Sequence, residues 1–138
     1  MVIHEGRYGL SGERVLLVGP DDPLRSAVAG ACAAHGASGV ATVTPPPPLA
    51  TGTDHAALAH ALNQAAASMP QVEVLVNLPP WTGADLNAAG LGSRQAWQQE
   101  LASLSVIFQA CKAVLPGMRS RRSGCVVNRS ATYAAAQA

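Results

Sequence analysis

Apolar residues follow two rhythms along this chain: short unbroken runs, and stripes that recur every three or four positions. Arg14-Val15-Leu16-Leu17-Val18-Gly19 is a run closed by a turn residue, the pattern of a strand covered on both faces. Asp22 followed by Pro23 predicts a helix start. A carboxylate caps the first turn, and proline loses nothing by lacking an N–H there. The helix is expected from Leu24 to His35, stopped by Gly36, with Leu24, Val28, Ala31 and Cys32 facing a sheet.

Gly39 to Thr44 reads as a second strand, and Pro45 to Pro48 as an extended connector. Asp54 predicts the cap of a helix from His55 to about Ser68, with Leu58, Leu62 and Ala65 or Ala66 as its stripe. Val72 to Asn77 is the next strand, closed by Pro79-Pro80. Residues 81–93 are glycine-rich and irregular, and Trp81 is expected to pack over the proline pair. Gln95 to Leu115 is the longest helical pattern, ended by Pro116-Gly117. Trp97, Leu101, Leu104, Phe108, Cys111 and Leu115 form one apolar face, while Val106, Ile107, Ala110, Ala113 and Val114 make other sides apolar too. A helix apolar on more than one side is expected to meet a partner subunit. Gly124 to Asn128 is the last strand.

Alternating strands and helices predict an α/β fold, a parallel sheet with helices on both faces. The length of 138 residues suits a single domain, here residues 14–138 behind an N-terminal arm of residues 1–13. At 49% hydrophobic and 12% charged, the composition excludes a disordered chain. A formal net charge of +1 gives bulk electrostatics no reason to recruit nucleic acid. Arg119, Arg121, Arg122 and Arg129 read as a solvated rim, so no nucleic-acid partner is expected.

Cys32, Cys111 and Cys125 are widely spaced and include no Cys-x-x-Cys, which argues against zinc and for a reducing compartment. His55 and His60 are five apart and do not share a helical face, so no metal site is expected. Asp54-His55 lacks a positioned nucleophile. No secretory signal opens the sequence and no uninterrupted apolar run approaches about 18 residues. These features predict a cytoplasmic protein with no membrane contact.

Ala110-Cys111-Lys112-Ala113-Val114-Leu115-Pro116-Gly117-Met118, followed by Ser123-Gly124-Cys125-Val126-Val127-Asn128-Arg129-Ser130, resembles the short-chain dehydrogenase/reductase family. There a long helix ending in Leu-Pro-x-Met leads to a Gly-x-(Ile/Val)-Val-Asn strand and a catalytic serine. Val74 to Asn77 resembles the start of the family's Asn-Asn-Ala-Gly element, and Val15 to Gly19 its first strand. The resemblance spans about residues 14 to 134 and implies a Rossmann-like sheet of order 3-2-1-4-5.

The family's functional residues carry over badly. Its Thr-Gly-x-x-x-Gly-x-Gly turn corresponds to Gly19-Pro20-Asp21-Asp22-Pro23-Leu24-Arg25, where only Gly19 matches. Asp21 and Asp22 place carboxylates where the resemblance implies phosphates, at the positive end of a helix. Thr44 stands where a ribose-reading side chain is expected, and Asn77-Leu78-Pro79-Pro80 replaces Asn-Asn-Ala-Gly. The catalytic asparagine aligns with Ser103. The catalytic serine falls on Ala131, with Ser130 able to serve only if the strand shifts by one. Tyr133 is no substitute for the Tyr-x-x-x-Lys pair, because Gln137 stands four residues on.

The expectation is therefore a degenerate, shortened relative without catalysis. It needs no cofactor and docks on itself or on a full-length relative through Trp97, Leu101, Leu104, Ile107, Phe108, Cys111 and Val114. In the alternative, the chain belongs to an NAD(P)-dependent oxidoreductase whose remaining residues lie elsewhere. A third reading, an enzyme like the halohydrin dehalogenases, is opposed by Asp21, Asp22 and the missing tyrosine.

Overall fold

A computed structural model describes residues 9–46, 54–69, 71–78 and 94–129, with side chains in the last segment from Leu101 onward. The chain alternates through β1 (Arg14–Val18), α1 (Pro23–Ala34), β2 (Gly39–Val43), α2 (His55–Ser68), β3 (Val74–Asn77), α3 (Arg94–Arg121) and β4 (Cys125–Asn128). The strands form one sheet in the order β2-β1-β3-β4, with every neighbouring pair parallel. This is an α/β, Rossmann-like architecture. It matches the 2-1-4-5 part of the expected order, and no strand lies beyond β2 among the described residues.

Side chains alternate across β1 and so feed two cores. Leu16 and Val18 meet Leu58 and Leu62 of α2 and Val106, Ala110 and Val114 of α3 on one face. Val15 and Leu17 meet Val28 and Cys32 of α1 on the other. Each of the four β1 side chains from Val15 to Val18 is fully buried, which is why this run shows no polar alternation. Leu24 and Ala31, expected on the sheet-facing side of α1, point outward instead. Val28, Ala29 and Cys32 carry the contact. The last residues of the expected N-terminal arm are tied to the domain. The Leu10 N–H donates to the His35 carbonyl at 2.8 Å, and Leu10 packs on the same core.

The long helix departs from expectation twice. It does not stop at Pro116-Gly117 but continues to Arg121. Proline there removes the bond to the Lys112 carbonyl. Beyond it, Met118 is buried in the main core, and an Arg121 guanidinium N–H donates to the Val72 carbonyl at 2.9 Å. These contacts hold the final turn. Gly124 follows at φ +152°, and a Cβ there would run into the Met118 side chain.

The second departure concerns the faces of α3. The buried line is Ser103, Val106, Ala110, Val114 and Met118. Leu101, Leu104, Phe108 and Leu115 are 46, 60, 64 and 40% exposed. Val114, expected at a partner interface, belongs to the chain's own core. Both lines are apolar at helical spacing, so periodicity alone does not tell which one the sheet will cover. Within Leu101–Arg121, an 18-residue window has a mean hydropathy of 1.4, enough by length and composition alone to cross a membrane. Polar residues such as Ser103, Gln109 and Lys112 interrupt this stretch, so it holds no unbroken apolar run of that length.

Candidate functional site at the carboxyl end of the sheet

In an open parallel sheet, ligands bind beyond the carboxyl ends of the strands, where successive connections leave in opposite directions. That point here lies between β1 and β3. The chain passes from β1 outward to β2, then crosses back to β3 on the other side.

At this point β1 and β3 go on pairing one residue past the end of β3. The Leu78 N–H donates to the Val18 carbonyl at 2.7 Å, and the Leu78 side chain is buried. Gly19 lies against it. A Cβ on Gly19 would strike the Leu78 carbonyl oxygen and stand 2.9 Å from its Cβ. Gly19 is thus required by the close approach of two chain segments. That is a sufficient reason for the one glycine matching the resemblance's phosphate loop.

The start of α1 is also occupied. Asp22 is its N-cap, with Oδ1 accepting from the Arg25 N–H at 2.9 Å. Arg25 then folds its side chain back over the strand ends. One guanidinium nitrogen donates to the Gly19 carbonyl at 3.1 Å and to Thr44 Oγ1 at 2.6 Å. The other stands 2.9 Å from Asp21 Oδ1. The Arg25 side chain is only 11% exposed and Asp21 77%, so the ion pair is water-screened while the guanidinium is embedded. Asp21 and Asp22 do different work: Asp22 caps the helix and Asp21 balances Arg25.

Asn77, at the end of β3, is fully buried between Val18 and Asn128 in the strand register. Its Nδ2 donates to Asn128 Oδ1 at 2.8 Å, while its own Oδ1 has no partner among the described residues. Exchanging the N and O of both amides would pair the oxygen and orphan the nitrogen. Either way, one polar end of a buried carboxamide has no partner among the described residues, and leaving such a group unpaired is costly. Ser103 lies on the buried line of α3. Ser130, Ala131, Tyr133 and Trp81 lie outside the described residues, and the Trp97 side chain lies outside the described side chains.

Cys32, Cys111 and Cys125 are free thiols, and burial pushes the Cys32 thiol above its ordinary range. Among the described residues no cluster of three His, Cys, Asp or Glu side chains is placed to hold a metal. A groove of about 360 Å³ lies between β2 and α2 and reaches Thr44, the hydroxyl partner of Arg25. Arg25, Leu78 and Asn128 are the residues that sequence reasoning passed over. Arg25 left a signal, an Asp21–Arg25 spacing of four across a helix start. Leu78 and Asn128 left none, because their roles come from strand pairing.

No protein-family model matches the chain, and no curated protein sequence does. Solved structures match its fold. Ribose-5-phosphate isomerase from Brucella melitensis 16M is 19% identical at a TM-score of 0.60, over 87% of this chain and 52% of that one. The protein gox2181 is 14% identical at 0.67, over 94% of this chain and 57% of that one. The class they define is a Rossmann-like α/β fold. The chain spans little more than half the length of either structure.

Proposed function

We propose that this chain is a shortened, non-catalytic relative of the short-chain dehydrogenases/reductases that acts as a structural or regulatory subunit. It docks through the outer face of α3 on a second copy or on a full-length relative. The carrying observation is the exposed line Leu101, Leu104, Phe108 and Leu115, opposite a separate buried line on the same helix. An apolar stripe of this extent on a water-facing helix is stabilised by burial against another protein. Exposed Lys112 in the middle of the helix favours a protein surface over a lipid one, since a lysine in hydrocarbon is costly.

The loss of catalysis is supported by the close contacts that the chain's own groups make at the carboxyl end of the sheet. Leu78 occupies the switch point, Arg25 lies across the strand ends, and Asp22 takes a donor that a phosphate would use. Purified chain at about 1 mM NAD(H) or NADP(H) is expected to keep its Tm, because only a bound ligand stabilises by RT ln(1 + [L]/Kd). A rise of several degrees would overturn the non-catalytic reading.

One observation favours a second reading, in which the chain contributes to an NAD(P)-dependent site completed by a partner. The unmatched amide end of Asn77 calls for a hydrogen-bonding group from outside the described residues. The same titration repeated on the native assembly separates the two readings.

A further inference from the structure

The β2 side of the sheet ends in an edge with no charged side chain on its strand and, among the described residues, no pairing strand. The Gly19 N–H donates to the Val43 carbonyl at 3.0 Å. Alternation then directs the backbone groups of Ala41 and Val43 toward β1, and those of Val40 and Thr42 outward. Among the described residues no strand pairs with that outer side. An exposed edge of this kind is a template for another strand unless charge or covering chain blocks it. Gly39 to Thr44 carries no charged side chain.

Beside the edge lies the groove of about 360 Å³, bounded by Ala41 and Val43 of β2 and by Ala61, Gln64, Ala65 and Ser68 of α2. The α2 helix contains no Asp, Glu, Lys or Arg in fourteen residues, although much of its surface is exposed. A solvated helix face ordinarily carries such charges. The opposite edge of the sheet differs. Exposed Arg122 and Arg129 stand before and after β4.

We propose that the β2 edge and its groove are a self-association surface, on which a second copy of this chain adds its own β2 in antiparallel register. The occupant is a second copy because the surface is complementary to itself. Pairing centred on Thr42 satisfies the outward N–H and C=O groups of both copies at once, as a two-fold interface requires. It sets Ala41 opposite Val43 of the second copy on the groove side, a small side chain against a larger one. Both α2 helices then lie on the same side of the joined sheet, where their alanines permit close approach. No charge on β2 or α2 meets its own kind across the seam, whereas pairing through β4 would bring arginines together.

The test uses the full chain in sedimentation equilibrium. Thr42→Pro removes an N–H that points away from β1, so the ladder inside the chain survives. The proposal expects wild type to self-associate at about 100 μM and the variant to raise the dissociation constant about tenfold or more, with unchanged far-UV circular dichroism. Thr42→Cys, with Cys111→Ser and Cys125→Ser, supplies a second readout should the proline variant fail to fold. Directly opposed residues of an antiparallel pair stand about 5.5 Å apart, so mild oxidation should link two chains. A monomeric wild type, an association untouched by Thr42→Pro, or a failed crosslink would overturn the proposal. The α3 reading is tested separately, because substitutions at Phe108 do not touch this edge.

Discussion

Gly19 joins the two explanations that compete for this sequence. A cofactor loop needs glycine for the approach of a pyrophosphate; this chain needs it for the approach of Leu78. The packing reading makes a specific claim about stability. Gly19→Ala should lower the unfolding free energy by about 1–3 kcal/mol, the range for forcing a methyl into filled space. The shift in urea midpoint at constant m-value measures it. A neutral substitution would mean that the two segments separate readily. Arg25 extends the same logic. Its guanidinium lies across the ends of β1 and β2, held by a carbonyl, a hydroxyl and a carboxylate. Among the described residues, the buried side-chain atom left without a partner is one end of the Asn77 amide.

Among the elements, α3 carries most of the functional argument. It is 28 residues long and passes through Pro116, whose missing N–H leaves the Lys112 carbonyl without its helical bond. Met118 and Arg121 hold the last turn in place despite this. Pro116→Ala should therefore raise Tm, recovering up to about 3 kcal/mol, because the packing beyond the proline is already made. Differential scanning calorimetry checks it, and a lowered Tm would show that the proline is required for the helix's path. The strands and helices were legible from short runs, caps and stripes. The faces of α3 were not. Val106-Ala110-Val114 and Leu101-Leu104-Phe108 are both apolar at helical spacing, and only the position of the sheet separates them. The Arg25 contacts and the Asn77–Asn128 pair were equally out of reach, since they join residues brought together by parallel pairing.

At the scale of the whole molecule, the described residues build a four-stranded parallel sheet with two features that point outward, the α3 stripe and the β2 edge. Both are largely apolar or uncharged, and the proposed role in association rests on them. The central claim is that α3 docks on another protein chain, a second copy in the simplest case. Sedimentation equilibrium of wild type, Thr42→Pro and Phe108→Glu measures it most directly. Phe108 is 64% exposed, so the glutamate is solvated in a free monomer and costly only in an interface. The account predicts that Phe108→Glu weakens association about tenfold or more, in the Thr42→Pro background as well, while leaving Tm within about 2 °C. A wild-type chain that stays monomeric at about 100 μM both alone and with the proteins of its source, or an association that Phe108→Glu leaves intact, would contradict it.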